Sequence, residues 1–173
     1  MTRPSSIATT RLILRAPVLA DAAAYLEVFG DFDANAAANP RGYCRDLAEA
    51  QVALEAHIGR WARHGFDIWA VCLKGDPQRV VGFGGVGWRA FGDEQRLNLG
   101  YGLHRSLWGQ GFAKELADAA VRFAREDLAA PVLWARVQAG NAASRRVLAS
   151  VGMAGVANAA MDGELVYSAR LAP

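Results

Sequence analysis

The stretch Ser106–Leu116, SLWGQGFAKEL, decides how this chain is read. Gly109 and Gly111 alternate with bulky residues, and an alanine-rich segment of helical periodicity follows at once. Before it lies a strand pattern, Arg96–His104 (RLNLGYGLH). Strand, glycine turn and helix in that order can gather the backbone N–H groups of Gly109, Gln110, Gly111, Phe112 and Ala113 into one concavity. At a helix N-terminus the dipole also favours an anion, so the stretch is a candidate phosphate cradle. On composition alone, a plain strand-to-helix turn accounts for the glycines equally well. The loop is neither a Walker loop, whose G-x-x-x-x-G-K-[ST] spacing is absent, nor a dinucleotide fingerprint, whose third glycine position holds Lys114.

Upstream, Gly82–Gly87 (GFGGVG) spells G-x-G-x-x-G more literally. It runs into WRAFGDE, which has no helical pattern, and the dinucleotide motif counts only when it opens a helix. These glycines therefore read as strand positions where another chain segment approaches closely.

Working outward, Arg11–Pro17 (RLILRAP) alternates as a strand ended by proline. A short helix follows, with Asp21 as its cap and Gly30 as its stop. Residues 31–45 (DFDANAAANPRGYCR) read as an irregular loop and a candidate substrate rim. Asp46 opens a helix in which Leu47, Ala50, Leu54, Ile58 and Trp61 recur at helical spacing until Gly65. Asp67–Lys74 and Arg79–Arg89 are strands joined by the turn GDPQ. A second long helix runs from near Gly109 to about Asp127, and Pro131–Gln138 is a further strand. Asn141 caps a short helix that ends at Gly152. Two last strands, Met153–Ala160 and Glu164–Leu171, form a hairpin across MDGE. The order β-α-α-β-β-β-α-β-α-β-β predicts a mixed α/β fold in a single domain spanning 1–173.

Composition limits the function classes. The chain has 173 residues, 53% hydrophobic and 21% charged, with a net charge of +2, so strong nucleic-acid binding is not expected. Cys44 and Cys72 make neither a disulfide framework nor a zinc site, and no metal ligand set is visible. No signal-peptide core and no run long enough for a membrane span is present, so a cytoplasmic protein without a membrane partner is expected.

The segments RLILRAP, DIWAV, VVGFGGVG, LNLGY, WGQGFAKE and VQAGNAASRRVLASVGM, in this order and at these intervals, resemble the GNAT superfamily of acyl-CoA-dependent N-acyltransferases. The likeness runs from about Arg11 to Val166, and within the superfamily it is greatest to the branch of ribosomal-protein N-terminal acetyltransferases. It implies a mostly antiparallel, twisted sheet of about seven strands, splayed at a V-shaped notch and flanked by about four helices. It further implies acetyl-CoA as co-substrate, lying between the strands Arg96–His104 and Pro131–Gln138. Its pantetheine would pair with backbone around Tyr101, Gly102 and Leu103, and its pyrophosphate would rest on the loop from Trp108 through Gly109, Gln110, Gly111 and Phe112 to Ala113. Asn141 would meet the cofactor arm, and Ser144 would lie near the sulfur. A homodimer also belongs to what the resemblance implies.

The chain departs from the family pattern in three places. Ser106 stands where Gln or Arg often opens the loop. Asn98 takes the place of the carboxylate this branch often uses as general base, and Leu148 that of a tyrosine acid. The first matters least, because the backbone cradle is retained. The missing base bears on the acceptor. A lysine amine, with a pKa of about 10.4, costs about 3.4 kcal/mol more to deprotonate than an α-amine at roughly 7.7–8.0. A weakly basic amine can therefore dispense with a strong base. Among Asp93, Glu94, His104 and Glu164, Glu94 is the best candidate substitute. Trp69, Trp88 and Tyr43 are candidate acceptor-binding residues. The expected function is acetyl transfer to a primary amine, on a small molecule or a protein N-terminus. The alternative is a non-catalytic acyl-CoA-binding or sensing protein of the same fold.

Overall fold

Alternation along one central strand explains why two helical layers form. In β3 (Trp69–Leu73), Trp69 and Val71 point to one side while Ala70 and Cys72 point to the other, and all four are fully buried. The two sides belong to separate apolar clusters. A strand buried on both faces needs a cover on each. The computed structural model describes residues 6–31, 43–157, 159 and 163–171. In it, α1 (Ala22–Phe29) and α2 (Leu47–His64) cover one face, while α3 (Phe112–Glu126) and α4 (Ala142–Ser150) cover the other.

The remaining strands are β1 (Ser6–Ala8), β2 (Leu12–Arg15), β4 (Asp76–Phe91), β5 (Glu94–Leu103), β6 (Val132–Gln138), β7 (Ala154–Gly155) and β8 (Glu164–Arg170). They form one sheet in the order β1-β2-β3-β4-β5-β6-β8-β7. Every neighbouring pair is antiparallel except β5 and β6. The fold is thus mixed α/β around a mostly antiparallel sheet, with eight strands rather than about seven. The addition is β1, which pairs Ser6 with Arg15 at the sheet edge. Its three residues, Ser-Ile-Ala, are too few to carry an alternation that would announce it.

Several boundaries moved. β4 starts at Asp76, not Arg79, because Leu73 already stands opposite Asp76 and the hairpin turn needs only Lys74 and Gly75. β7 is a two-residue strand rather than a run to Ala160, and residues 158 and 160–162 lie outside the described residues. So do residues 32–42 of the expected substrate rim. Asp21 does not cap α1 with its side chain. Its carboxylate accepts two hydrogen bonds from Arg15, both at 2.8 Å, and one from the Val18 N–H at 2.9 Å. A bidentate guanidinium outbids an exposed cap for the same oxygens.

The one parallel pair is where the sheet opens. β5 and β6 stand in register only at Asn98 and Trp134. Past that point both strands run the same way, and Leu99–Leu103 finds no partner in Ala135–Gln138. The result is a V-shaped notch open toward the C-terminal ends of both strands. α3 follows β5 and α4 follows β6, so both helix N-termini stand at its mouth.

Candidate functional site

The notch exposes a defined set of backbone groups. His104 donates its N–H to Val81 O at 2.8 Å, so β5 residues of its parity (Gly102, Gly100 and Asn98) turn toward β4. Backbone direction alternates along a strand. Leu99, Tyr101 and Leu103 therefore turn toward β6, which is the notch. Two of their carbonyls are already taken. Leu103 O accepts the Trp108 indole N–H at 2.8 Å, and Leu99 O accepts Asn98 Nδ2 at 3.0 Å. Among the described residues the N–H and C=O of Tyr101 and the N–H of Leu103 meet no ladder partner on that side and remain for an extended guest.

At the mouth, the loop between β5 and α3 turns at Gly109 (φ 73°) and Gly111 (φ 80°), which only glycine adopts without strain. A Cβ at Gly109 would meet nothing within 4 Å, so this side of the loop is open. The loop is held from behind by Arg11. Its Nη1 donates to Gln110 O at 3.0 Å, its Nε meets Glu115 Oε2 at 2.7 Å, and its guanidinium lies 3.9 Å from the centre of the Phe112 ring. Glu115 Oε1 also accepts the Thr9 hydroxyl and the Arg11 N–H, each at 2.6 Å. Burial alone would raise the Glu115 carboxyl, yet these donors hold it below the usual carboxylate value. Gln110 Nε2 closes the turn by donating to Ser106 O at 2.6 Å.

On the other side of the notch, Asn141 caps α4, its Oδ1 accepting the Ser144 N–H at 3.0 Å. The Tyr101 hydroxyl reaches across to Ser144 O at 3.5 Å, which links β5 to α4. Burial pushes this phenol up to about 12. Tyr101, Asn141 and Ser144 thus meet at one place. Asn98 stands at the apex, its Oδ1 buried and without a hydrogen-bond partner.

Next to the apex, on the α1/α2 face, lies a cluster that the sequence reading missed. Asp67 is fully buried. Its Oδ2 is 2.6 Å from Arg60 Nε and 2.8 Å from His57 Nδ1, and its Oδ1 is 3.3 Å from Arg89 Nη1. Arg60 Nη2 also lies 2.8 Å from His57 Nδ1. Burial lowers His57 and outweighs the pull of Asp67, leaving a neutral imidazole. Burial would raise Asp67, but His57 and the two guanidiniums bring it below the usual value. In sequence, the i, i+3 pair His57 and Arg60 was legible on α2, but nothing tied it to an aspartate beyond Gly65.

A notch between diverging parallel strands, closed by two helix N-termini, is the architecture expected of acyl-CoA enzymes. The model of the acetyltransferase (GNAT) domain family matches residues 11–154. The chain belongs to the GNAT acetyltransferase family. Solved structures agree. An acetyltransferase from Agrobacterium tumefaciens superposes with TM-score 0.79 at 25% identity, covering 98% of this chain and 96% of that one. RimL, a ribosomal L7/L12 alpha-N-protein acetyltransferase in complex with coenzyme A, gives TM-score 0.77 at 16% identity, covering 95% and 97%. The structure of yncA from Salmonella typhimurium with its cofactor acetyl-CoA gives 0.69 at 21%, covering 92% and 94%.

The GNAT co-substrate is acetyl-CoA, and this chain's residues fit it. The unpaired backbone of Tyr101 and Leu103 suits an extended amide-bearing arm, and the open glycine loop at a helix N-terminus suits a pyrophosphate. Among the described residues no group of three or more His, Cys, Asp or Glu could hold a metal ion, and no helix is long and apolar enough to cross a membrane.

Other expected GNAT site residues are placed elsewhere. Trp69 is 0% exposed and packs edge-on against Phe123, so it is core beneath the sheet rather than an acceptor contact. Trp88 is 37% exposed, on the α3/α4 face opposite Asp67 and Arg89. Tyr43 lines a depression with Tyr25, Cys44 and Glu49 on the α1/α2 face, where the Tyr25 hydroxyl lies 3.5 Å from His57 Nε2 of the Asp67 cluster. Glu94 opens β5 at its far end, roughly 13 Å along the strand from Asn98. Its side chain is 69% exposed and paired with Arg96 at 2.7 Å, so it does not stand in for the missing base. Of the other carboxylates and the histidine weighed, Glu164 pairs with Arg136 at 3.2 Å, and His104 Nδ1 is 2.8 Å from the Ser106 hydroxyl.

Proposed function

We propose that this acetyltransferase moves the acetyl group of acetyl-CoA to a primary amine by direct attack in a ternary complex. The observation that carries the reading is the notch itself. It is open to backbone hydrogen bonding on one edge and bounded by two helix N-termini, and it adjoins a polar face on the α1/α2 side. When bound, acetyl-CoA supplies an acetyl group activated as a thioester. The amides of Gly109–Ala113 would hold the pyrophosphate, and the Tyr101 and Leu103 backbone would align the arm. Asn141 and Ser144 would border the sulfur end. Among the described residues no free carboxylate stands at the apex, the nearby Asp67 being held by Arg60, His57 and Arg89, so positioning carries most of the rate and the amine must reach the site largely neutral. This favours an α-amine or another weakly basic amine.

A second reading, a non-catalytic acyl-CoA binder, is favoured by Asn98 and Leu148 in place of the family's base and acid. One experiment separates the two: CoA release from acetyl-CoA over a broad panel of amines. Amine-dependent release supports the enzyme, and tight binding without release supports the binder.

A further inference from the structure

Gly87 on β4 faces Asn98 on β5 across the antiparallel ladder, with Cα atoms about 5.5 Å apart in such a pair. The space a Gly87 side chain would occupy is filled by two other groups. A Cβ there would collide with Asp67 Oδ1 and would lie 2.9 Å from Arg89 Nη1. The Arg89 guanidinium is therefore folded back beside Asn98, one strand from the apex of the notch.

Arg89 is only half used. Its Nη1 donates to Trp88 O at 2.7 Å and to Asp67 Oδ1 at 3.3 Å. Its Nε–Nη2 edge makes no hydrogen bond among the described residues, and the side chain remains 29% exposed. That edge is the one that grips a carboxylate with two parallel hydrogen bonds. Charge points the same way. Arg60 and Arg89 share the single carboxylate of Asp67, so the cluster holds positive charge in excess. The neighbouring arginines do not compete, since Arg96 is held by Glu94 and stacks 4.1 Å from the Trp134 ring centre, and Arg136 is held by Glu164.

Asn98 supplies the complementary group. Its buried Oδ1 lacks a donor, and an amide oxygen can only accept. Between it and the notch the floor is bare, because a Cβ at Gly100 would meet only Asn98 Nδ2, at 3.5 Å. The Arg89 guanidinium thus stands over Gly87, and Asn98, directly across the ladder from Gly87, holds a buried amide oxygen that has no donor among the described residues.

We infer that the acceptor is a primary amine carrying a carboxylate, with Arg89 holding the carboxylate and Asn98 Oδ1 receiving an amine N–H. An α-amino acid, whose amine and carboxylate sit on one carbon, is the smallest acceptor that presents both groups to neighbouring residues on one face of the β4–β5 ladder. A polyamine does not fit, because the excess positive charge repels it. The inference rests on the amine-acetylation reading above and names its substrate class.

The test compares CoA release for free amino acids with release for the corresponding amino-acid amides. Spermidine and a dipeptide amide beginning with Asp are run alongside. The acids are expected to exceed their amides in kcat/KM by roughly 10- to 100-fold, the range of charge-assisted hydrogen bonds. In Arg89→Gln the acid-to-amide ratio of kcat/KM should fall to about one. Preference for the Asp dipeptide would assign the carboxylate to a side chain rather than to the α-position. Arg89 also braces Asp67, so melting is followed in parallel, and if the variant fails to fold the wild-type ratio decides alone. Equal or better turnover of amides or spermidine overturns the inference and leaves amine acetylation standing. Absence of release with every amine overturns both.

Discussion

Asn98 on β5 and Trp134 on β6 form the only register pair between those two strands among the described residues, and everything beyond them is notch. The position that sets where the sheet opens is therefore also the apex of the notch. Asn98 holds Leu99 O with its Nδ2 and leaves Oδ1 unpaired. Asn98→Ala should lower kcat about 10-fold, the worth of one orienting hydrogen bond. Acetyl-CoA affinity should stay within about 2-fold, because its cradle lies at the other end of β5. Calorimetric affinity measured beside kcat checks the split, and an equal loss in both would contradict it.

The glycine loop gives a prediction with an internal control. Gly109 and Gly92 both have positive φ, 73° and 61°, and a Cβ at either would meet nothing within 4 Å. Alanine at each should cost about 1–2 kcal/mol of backbone strain, a melting loss of roughly 2–8 °C. Only Gly109→Ala should also weaken acetyl-CoA, by about 10-fold, since its methyl group would stand where the phosphate approaches. Equal affinities in the two variants would place the pyrophosphate elsewhere.

The clamp behind the loop predicts a pH effect. Glu115 is depressed in the folded state by Thr9 and Arg11, so it contributes stability above its unfolded value of about 4.3. That contribution is lost as pH falls through the folded value. Glu115→Gln should melt lower than wild type at pH 6, and the difference should shrink toward pH 3. Its acetyl-CoA affinity should also fall, because Gln110 and Phe112 lose the brace that Arg11 provides. A melting difference independent of pH would contradict the assignment.

The Asp67 cluster predicts an effect in a different window. The pKa of His57 is lowered by burial, so the stability of its neutral form is complete above about 6.5. It is lost as pH drops from there through the folded value. His57→Gln should flatten the fall in melting temperature between pH 7 and pH 5. Asp67→Asn removes the one anion between two guanidiniums and should cost about 3–5 kcal/mol, seen as a large loss of melting temperature at pH 7. Melting scans across pH for both variants decide it.

How far the fold was legible depended on whether its signals were local. α2 was readable end to end because Asp46 accepts the Glu49 N–H at 2.9 Å and Gly65 takes φ 74°, both as cap chemistry predicts. The same holds for Asn141 at the start of α4 and for the glycine turn before α3. β1 was not readable, since edge pairing with β2 needs no apolar pattern. Nor was the place of Arg89, whose guanidinium β4 folds back over Gly87 beside Asp67. Glu94 misled for the converse reason. Four residues are a short distance in sequence but a long one along an extended strand, so it ended far from the apex.

The most direct test of the central claim is CoA release from acetyl-CoA with and without amine, with the acetylated product identified by mass spectrometry. Amine-dependent release, with one acetylated amine formed per CoA freed, is the predicted result. Tight acetyl-CoA binding with no release above the amine-free rate, across α-amines and side-chain amines alike, would contradict it and make the protein a binder of acyl-CoA.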